Sequence, residues 1–213
     1  MILYLNTVRK HISNGDAKAA IDCLETYCNN TINDTEAAFW LAFLFVNTQV
    51  YTDGFLSSIN LLKNSLRVDP FDVKSLLLLS YIESWYTGGM EEDSNKLLES
   101  YLVSKEKNNY KKHLLLLNAD YYFELDKTIY VSLLRKSIKE DPTAAYNYIY
   151  LGRELADKEM FQKGINNIKT IVTPTSSETY DPLNFDSFID ENVRGVSMTS
   201  VNYDSLIVEM NSM

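Results

Sequence analysis

Lys111 to Ala144 has the sequence KKHLLLLNADYYFELDKTIYVSLLRKSIKEDPTA, and Ala145 to Glu178 has the sequence AYNYIYLGRELADKEMFQKGINNIKTIVTPTSSE. The two stretches are equally long, 34 residues each, and similar residue types recur at matching positions. The matching pairs are Leu117 and Leu151, Asn118 and Gly152, Tyr121 and Leu155, Tyr130 and Gly164, Leu134 and Ile168, Ser137 and Ile171. Only Pro142, which corresponds to Ser176, breaks the series. A period of 34 residues indicates helix-turn-helix units that stack on copies of themselves.

Three earlier units continue this period toward the N-terminus, at about residues 1–34, 35–72 and 73–110. The second and third are longer than the last two units. Their extra residues fall near Tyr51 to Gly54 and around the Gly88-Gly89 turn. A single hairpin cannot bury apolar residues on several helix faces, so stacking is needed to form a continuous core. The pattern therefore predicts five hairpins and about ten helices.

Residues that begin or end helices fall at the expected places. Asp69-Pro70 and Asp141-Pro142 close two units, because proline lacks a backbone donor and disfavours helix in the residue before it. Asp16 follows Gly15 and is a good N-cap for the helix that carries Ala20 and Leu24.

The units resemble tetratricopeptide repeats, with the best local match at Tyr148-x-x-Leu151-Gly152-x-x-Leu155, followed by Gly164 and Ile168. The resemblance covers residues 1–178 and implies an all-α, right-handed α-α superhelix of about five hairpins. Residues 179–213 then form a C-terminal tail. Asn118 and Tyr130 stand where the family has small residues, so the fourth hairpin is expected to splay. An irregular all-α bundle with a partly accidental repeat is the alternative.

Composition and charge exclude several classes of protein. Hydrophobic residues make up 46% of the chain, enough for a buried core. The formal net charge of −9 argues against general nucleic-acid binding, but it allows a basic partner or simple solubility. We expect no signal peptide and no membrane span, since Arg9 and Lys10 interrupt the first apolar stretch. Cys23 and Cys28 are badly spaced for a bridge, which fits a cytoplasmic location.

Catalysis has little support in the sequence. Neither His11 nor His113 has a second histidine or cysteine at metal-ligand spacing, and no phosphate loop or dinucleotide motif is present. We expect His113 to be a surface residue at a helix start and His11 to be a partly buried packing residue. The sequence predicts a protein that is not an enzyme and that holds no metal or cofactor.

The family resemblance implies that the first helix of each hairpin lines a concave groove, which binds an extended peptide or a helix. Carried over residue by residue, the candidate partner-binding residues are Phe39, Phe43, Asn47, Lys74, Leu77, Tyr81, Trp85, Lys112, Tyr122, Tyr146, Ile149 and Arg153. They form stripes with helical spacing and are rich in aromatic rings. A separate stripe, which includes Leu41, Phe45 and Leu76, already serves the core between helices, so this one needs something else to cover it.

The scattered cations in these stripes do not form the carboxylate clamp of chaperone-binding family members, which favours an apolar ligand. The predicted function is a protein-interaction module of the adaptor or co-chaperone type, with no nucleic acid among its partners. The alternative is a dedicated inhibitor, such as an immunity protein that neutralises one basic toxin.

The tail offers a second source of ligand. Its apolar residues, among them Phe185, Phe188 and Ile189, are too many for a free linker. A tethered segment acts at high effective concentration, so it can fill the groove as a plug or displaceable inhibitor. Alternatively it caps the exposed end of the fifth unit, which is the arrangement we prefer. A short helix is expected from about Tyr203 to Met210.

Overall fold

A computed structural model describes residues 3–31, 33–104, 109–171, 183–193 and 203–213. These parts of the chain contain helices and turns and no β-strand. The helices are α1 (Leu3–Ser13), α2 (Ala17–Asn30), α3 (Thr35–Thr48), α4 (Gly54–Val68), α5 (Val73–Tyr86), α6 (Glu92–Val103), α7 (Lys111–Tyr122), α8 (Lys127–Glu140), α9 (Ala145–Leu155), α10 (Lys158–Ile171), α11 (Phe185–Val193) and α12 (Tyr203–Ser212).

The predicted all-α fold of helical hairpins is confirmed. Four first helices start at the predicted unit boundaries: α3 at Thr35, α5 at Val73, α7 at Lys111 and α9 at Ala145. The extra residues of the second unit lie in the loop between α3 and α4, as the spacing predicted. The helix predicted near Tyr203 is α12, whereas the sequence gave no sign of α11.

Aspartate caps explain why several helices begin where they do. The carboxylates of Asp16, Asp34 and Asp126 accept hydrogen bonds from the backbone N–H groups of Ala19, Ala37 and Ile129, at 2.9, 3.0 and 3.0 Å. Asp72 and Asp157 cap α5 and α10 in the same way. Each cap satisfies a donor that the helix leaves without an internal partner, and it typically contributes about 1 kcal/mol.

Small residues let the paired helices approach closely. A Cβ atom at Gly152 on α9 would lie 2.6 Å from the backbone nitrogen of Phe161 on α10. A Cβ at Gly164 on α10 would lie 2.7 Å from the carbonyl oxygen of Ala145. In the second hairpin the small residue is Ser58, whose hydroxyl donates to the carbonyl oxygen of Ala42 at 3.0 Å. Asn118 and Tyr130, the predicted departures from this rule, are both buried.

The chain divides into two compact units. One contains the described residues of Met1–Leu97 and Tyr180–Phe185, and the other those of Leu98–Thr179 and Asp186–Met213. The first unit has a core built from α1, α2 and α3, and Leu183 belongs to this core. The second unit has a core of Ala145, Ile149, Phe161, Ile165 and Ile168, against which Leu206, Met210 and Met213 pack.

Candidate functional site

Three aromatic rings on α3 form the most prominent feature of the first unit. Phe39, Trp40 and Phe43 lie within one helical turn, and their ring centroids are 5.1 to 6.2 Å apart. We call them the α3 aromatic cluster. Phe39 and Phe43 are buried, although they do not face the core between α3 and α4, where Leu41 and Phe45 pack. The sequence predicted that this second apolar stripe would need a cover.

Phe185 supplies that cover. Its ring meets Phe39 at a centroid distance of 5.0 Å and Phe43 at 5.3 Å, nearly perpendicular to both. Such edge-to-face contacts are favourable because the positive edge of one ring meets the negative face of the other. Lys74 lies beside them, with its ammonium 5.9 Å from the Trp40 ring and 6.0 Å from the Phe185 ring. Only 2% of Phe185 is exposed.

Leu183 enters the same unit two residues earlier. It is buried in the cluster of α1, α2 and α3 side chains. The backbone nitrogen of Phe185 donates to the carbonyl oxygen of Leu183 at 3.1 Å, so a turn precedes α11. Two apolar side chains from the C-terminal part of the sequence are therefore inserted into the first unit.

The other predicted residues of the first unit differ in exposure. Leu77 and Tyr81 are buried, and Asn47 and Lys74 are half-buried. Burial raises the pKa of Tyr81, helped by a contact of its hydroxyl with that of Tyr86 at 3.4 Å. By contrast, 53% of Trp85 is exposed at the end of α5. Of these residues, Trp85 is thus the aromatic side chain that a partner can reach without any rearrangement.

In the second unit, α11 carries two carboxylates to the start of α7. Asp190 lies 2.9 Å from Nε2 of His113 and 3.6 Å from Nζ of Lys112, and Asp186 accepts a hydrogen bond from Tyr110. Lys112 also contacts Asp141 at 3.3 Å. The predicted surface position of His113 is wrong, because this polar network buries it to 4% exposure.

The second unit also covers predicted residues on α9. Arg153 forms a two-pronged ion pair with Glu209 of α12, with N–O distances of 2.5 and 3.0 Å. This hydrogen-bonded pairing raises the pKa of Arg153 and lowers that of Glu209. Ile149 is buried, and Tyr146 packs half-buried against the same core as Leu206 and Met210. In the fourth hairpin, Tyr122 is half-buried and donates to Glu99 at 2.6 Å.

The structure thus places α12 against the fifth hairpin, as a cap would lie, and Leu183 and Phe185 against the α3 aromatic cluster. The sequence arguments treated these as alternatives. They also missed Trp40, although its position next to Phe39 and three residues before Phe43 was a usable signal.

Other reactive groups have plain structural settings. Burial raises the pKa of the Cys28 thiol to about 11, which suppresses its reactivity at neutral pH. Burial also raises the pKa of Asp120, to about 7. Within the described ranges, no group of three or more His, Cys, Asp or Glu side chains is arranged to hold a metal ion. In the same ranges, none of the helices has the length and apolar character that a membrane span requires.

No family model and no curated protein sequence matches this chain. The fold is nevertheless shared with solved structures. A crystal structure of MamA is 14% identical with a TM-score of 0.64, and the match covers 78% of this chain and 96% of that one. MamA residues 41 to the end, from Desulfovibrio magneticus RS-1, gives 13% identity and a TM-score of 0.58, covering 79% of this chain and 91% of that one. PilW, a widely conserved type IV pilus biogenesis factor, gives 10% identity and a TM-score of 0.60, covering 99% of this chain and 90% of that one. These proteins are TPR-like and helical, so the likeness supports a divergent fold of that type.

Proposed function

We propose that this chain is a non-enzymatic, cytoplasmic protein-interaction module that binds an apolar segment of another protein. In the first unit the binding residues are those of the α3 aromatic cluster together with Asn47, Lys74, Leu77, Tyr81 and Trp85. In the second unit the proposed binding residues are Lys112, Tyr122, Tyr146, Ile149 and Arg153. The proposal includes no cofactor.

One observation carries the proposal. Phe185, which belongs to none of the five hairpins, packs edge to face on Phe39 and Phe43. The α3 aromatic cluster therefore has the shape and chemistry to accept an aromatic side chain that arrives from outside the repeats. Full burial of such a side chain contributes about 1.5–3 kcal/mol, which is the scale of an interface hot spot.

Exposed Trp85 allows a test that spares the fold. The full chain is panned against a display library of random peptides about 15 residues long, and the affinity of the selected peptides is measured by fluorescence anisotropy. We expect the peptides to be rich in aromatic and aliphatic residues. Trp85→Ala should weaken their binding about tenfold, in line with the loss of a tryptophan hot spot.

Phe71→Ala is the matched control. Phe71 is 54% exposed, almost the same as Trp85, but it lies in the turn before α5 and outside the predicted stripe. Its loss should leave peptide affinity unchanged. Equal weakening by both variants, or no weakening by Trp85→Ala, would show that the peptides bind elsewhere and that the proposed surface is wrong.

The second candidate is a dedicated inhibitor of one basic protein. The observation that favours it is the net charge of −9, which would complement and attract such a partner. The two functions differ in their dependence on salt, which is a property of the whole molecule.

A further inference from the structure

We infer that Leu183 and Phe185 are a built-in ligand, which competes with the external segment for the first unit. The inference rests on the proposed function and specifies the partner's chemistry. The segment that displaces them carries an aliphatic side chain, one intervening residue and then an aromatic side chain at the start of a helix. An acidic residue near the aromatic ring would further suit this site.

The spacing follows from the seated residues themselves. Leu183 precedes α11, and Phe185 is its first residue. The turn between them directs both side chains into the first unit, where Leu183 joins the core cluster and Phe185 meets the α3 aromatic cluster. A ligand that reproduces both contacts needs the same two-residue interval, followed by a helix.

The preference for acid follows from Lys74. Its ammonium lies 6.0 Å from the Phe185 ring, and the lysine is only half-buried. A carboxylate next to the ligand's aromatic residue would lie close enough to this ammonium for a favourable charge interaction. Since the chain supplies its own segment at high effective concentration, an external segment must match this chemistry well to compete.

The test uses a fluorescein-labelled peptide with the sequence of residues 181–193, DPLNFDSFIDENV. It is titrated into three full-length chains: wild type, Phe185→Ala and Phe188→Ala. Phe185→Ala removes the competing ring, so it should bind the peptide at least tenfold more tightly than wild type does. Phe188→Ala removes a ring from the same helix and should behave like wild type. A peptide in which the phenylalanine matching Phe185 is alanine should bind none of the chains tightly.

A second measurement covers the case in which Phe185→Ala fails to fold. The phenylalanine of the peptide is replaced by a photo-crosslinking benzoyl-phenylalanine, and the peptide is added in excess to the wild-type chain. Crosslinks to residues 39–43 are expected, with a yield that rises with peptide concentration. Crosslinks elsewhere, or none at any concentration, would overturn the inference and make Phe185 a fixed part of the core.

The outcomes separate the two proposals. If library peptides bind through Trp85 but the peptide of residues 181–193 binds no variant, the proposed function stands and the built-in ligand does not. If that peptide binds at residues 39–43 but no foreign peptide binds, the α3 aromatic cluster serves the chain's own segment alone. The proposed function is then wrong, and with it the competition that we infer.

Discussion

Gly152 and Gly164 show how much a single absent side chain contributes to this fold. In an ordinary helix, alanine would replace either glycine with a gain of about 0.5–1 kcal/mol. Here the new Cβ would overlap backbone atoms of the facing helix at 2.6–2.9 Å, and backbone cannot move aside as a flexible side chain can. These glycines therefore set the distance between α9 and α10.

We expect Gly152→Ala and Gly164→Ala each to lower the free energy of unfolding by about 2 kcal/mol or more, as for an overpacked core. Urea denaturation followed by circular dichroism measures this. Gly15→Ala is the comparison, because Gly15 has open space around it but a φ of 75°. It should cost only about 1–2 kcal/mol through backbone strain. If Gly152→Ala were stabilising, the close contact of α9 with α10 would be refuted.

Asp120 gives a prediction about pH. Burial raises its pKa to about 7, above the value of about 3.9 expected for an unfolded chain. The unfolded state therefore loses this proton first, and stability falls as the pH rises from about 4 to about 7. Asp120→Asn removes the charge, so it should stabilise the protein at pH 8 by up to about 4 kcal/mol, with no gain near pH 4. Urea denaturation at both pH values tests this, and an equal effect at both would contradict it.

His113 illustrates what sequence reasoning misses at the level of single residues. Its neighbours Lys111 and Lys112 suggest an exposed helix start, and nothing local suggests otherwise. Its burial depends on Asp190, which is 77 residues away in sequence. A contact of this kind leaves no periodic or spacing signal near either partner.

At the level of elements, the hairpins were predictable because their determinants are local. The caps at Asp16, Asp34 and Asp126 act within three residues, and the 34-residue period locates each hairpin relative to the next. Apolar residues three and four apart then identify the buried face of each helix. These signals are strong enough to place the starts of α3, α5, α7 and α9 without a structure.

The tail helices were harder to predict for a physical reason. Hydrophobic burial is non-directional, so the apolar side chains of residues 179–213 suit any uncovered apolar surface. The sequence therefore left open both a cap on the fifth hairpin and a plug in the groove. The structure has α12 against α10, and Phe185 against the α3 aromatic cluster. Only long-range packing distinguishes these arrangements.

For the whole molecule, the balance of charge bears on the choice between the two candidate functions. The chain has 29 acidic and 20 basic residues, and this surplus acts on any charged partner at long range. An apolar segment held by aromatic rings depends little on this field. A basic protein held by charge would depend on it strongly.

We therefore expect the affinity for library-selected apolar peptides to change less than about threefold between about 50 mM and about 500 mM sodium chloride, because salt screens exposed charges but not apolar contacts. Fluorescence anisotropy at the two salt concentrations measures this. Weakening by tenfold or more, together with selection of lysine-rich peptides, would instead favour the inhibitor of a basic partner.

The placement of the two tryptophans gives the molecule its own optical signal. Trp85 is largely in water, so its emission should lie at long wavelength and stay constant when the α3 aromatic cluster changes its occupant. Trp40 shares Phe39, Phe43 and Lys74 with Phe185, so departure of that ring alters the polarity around its indole. In a Trp85→Phe chain, the emission maximum would report from Trp40 alone. Exchange of one occupant for another could then be followed in real time without any attached dye.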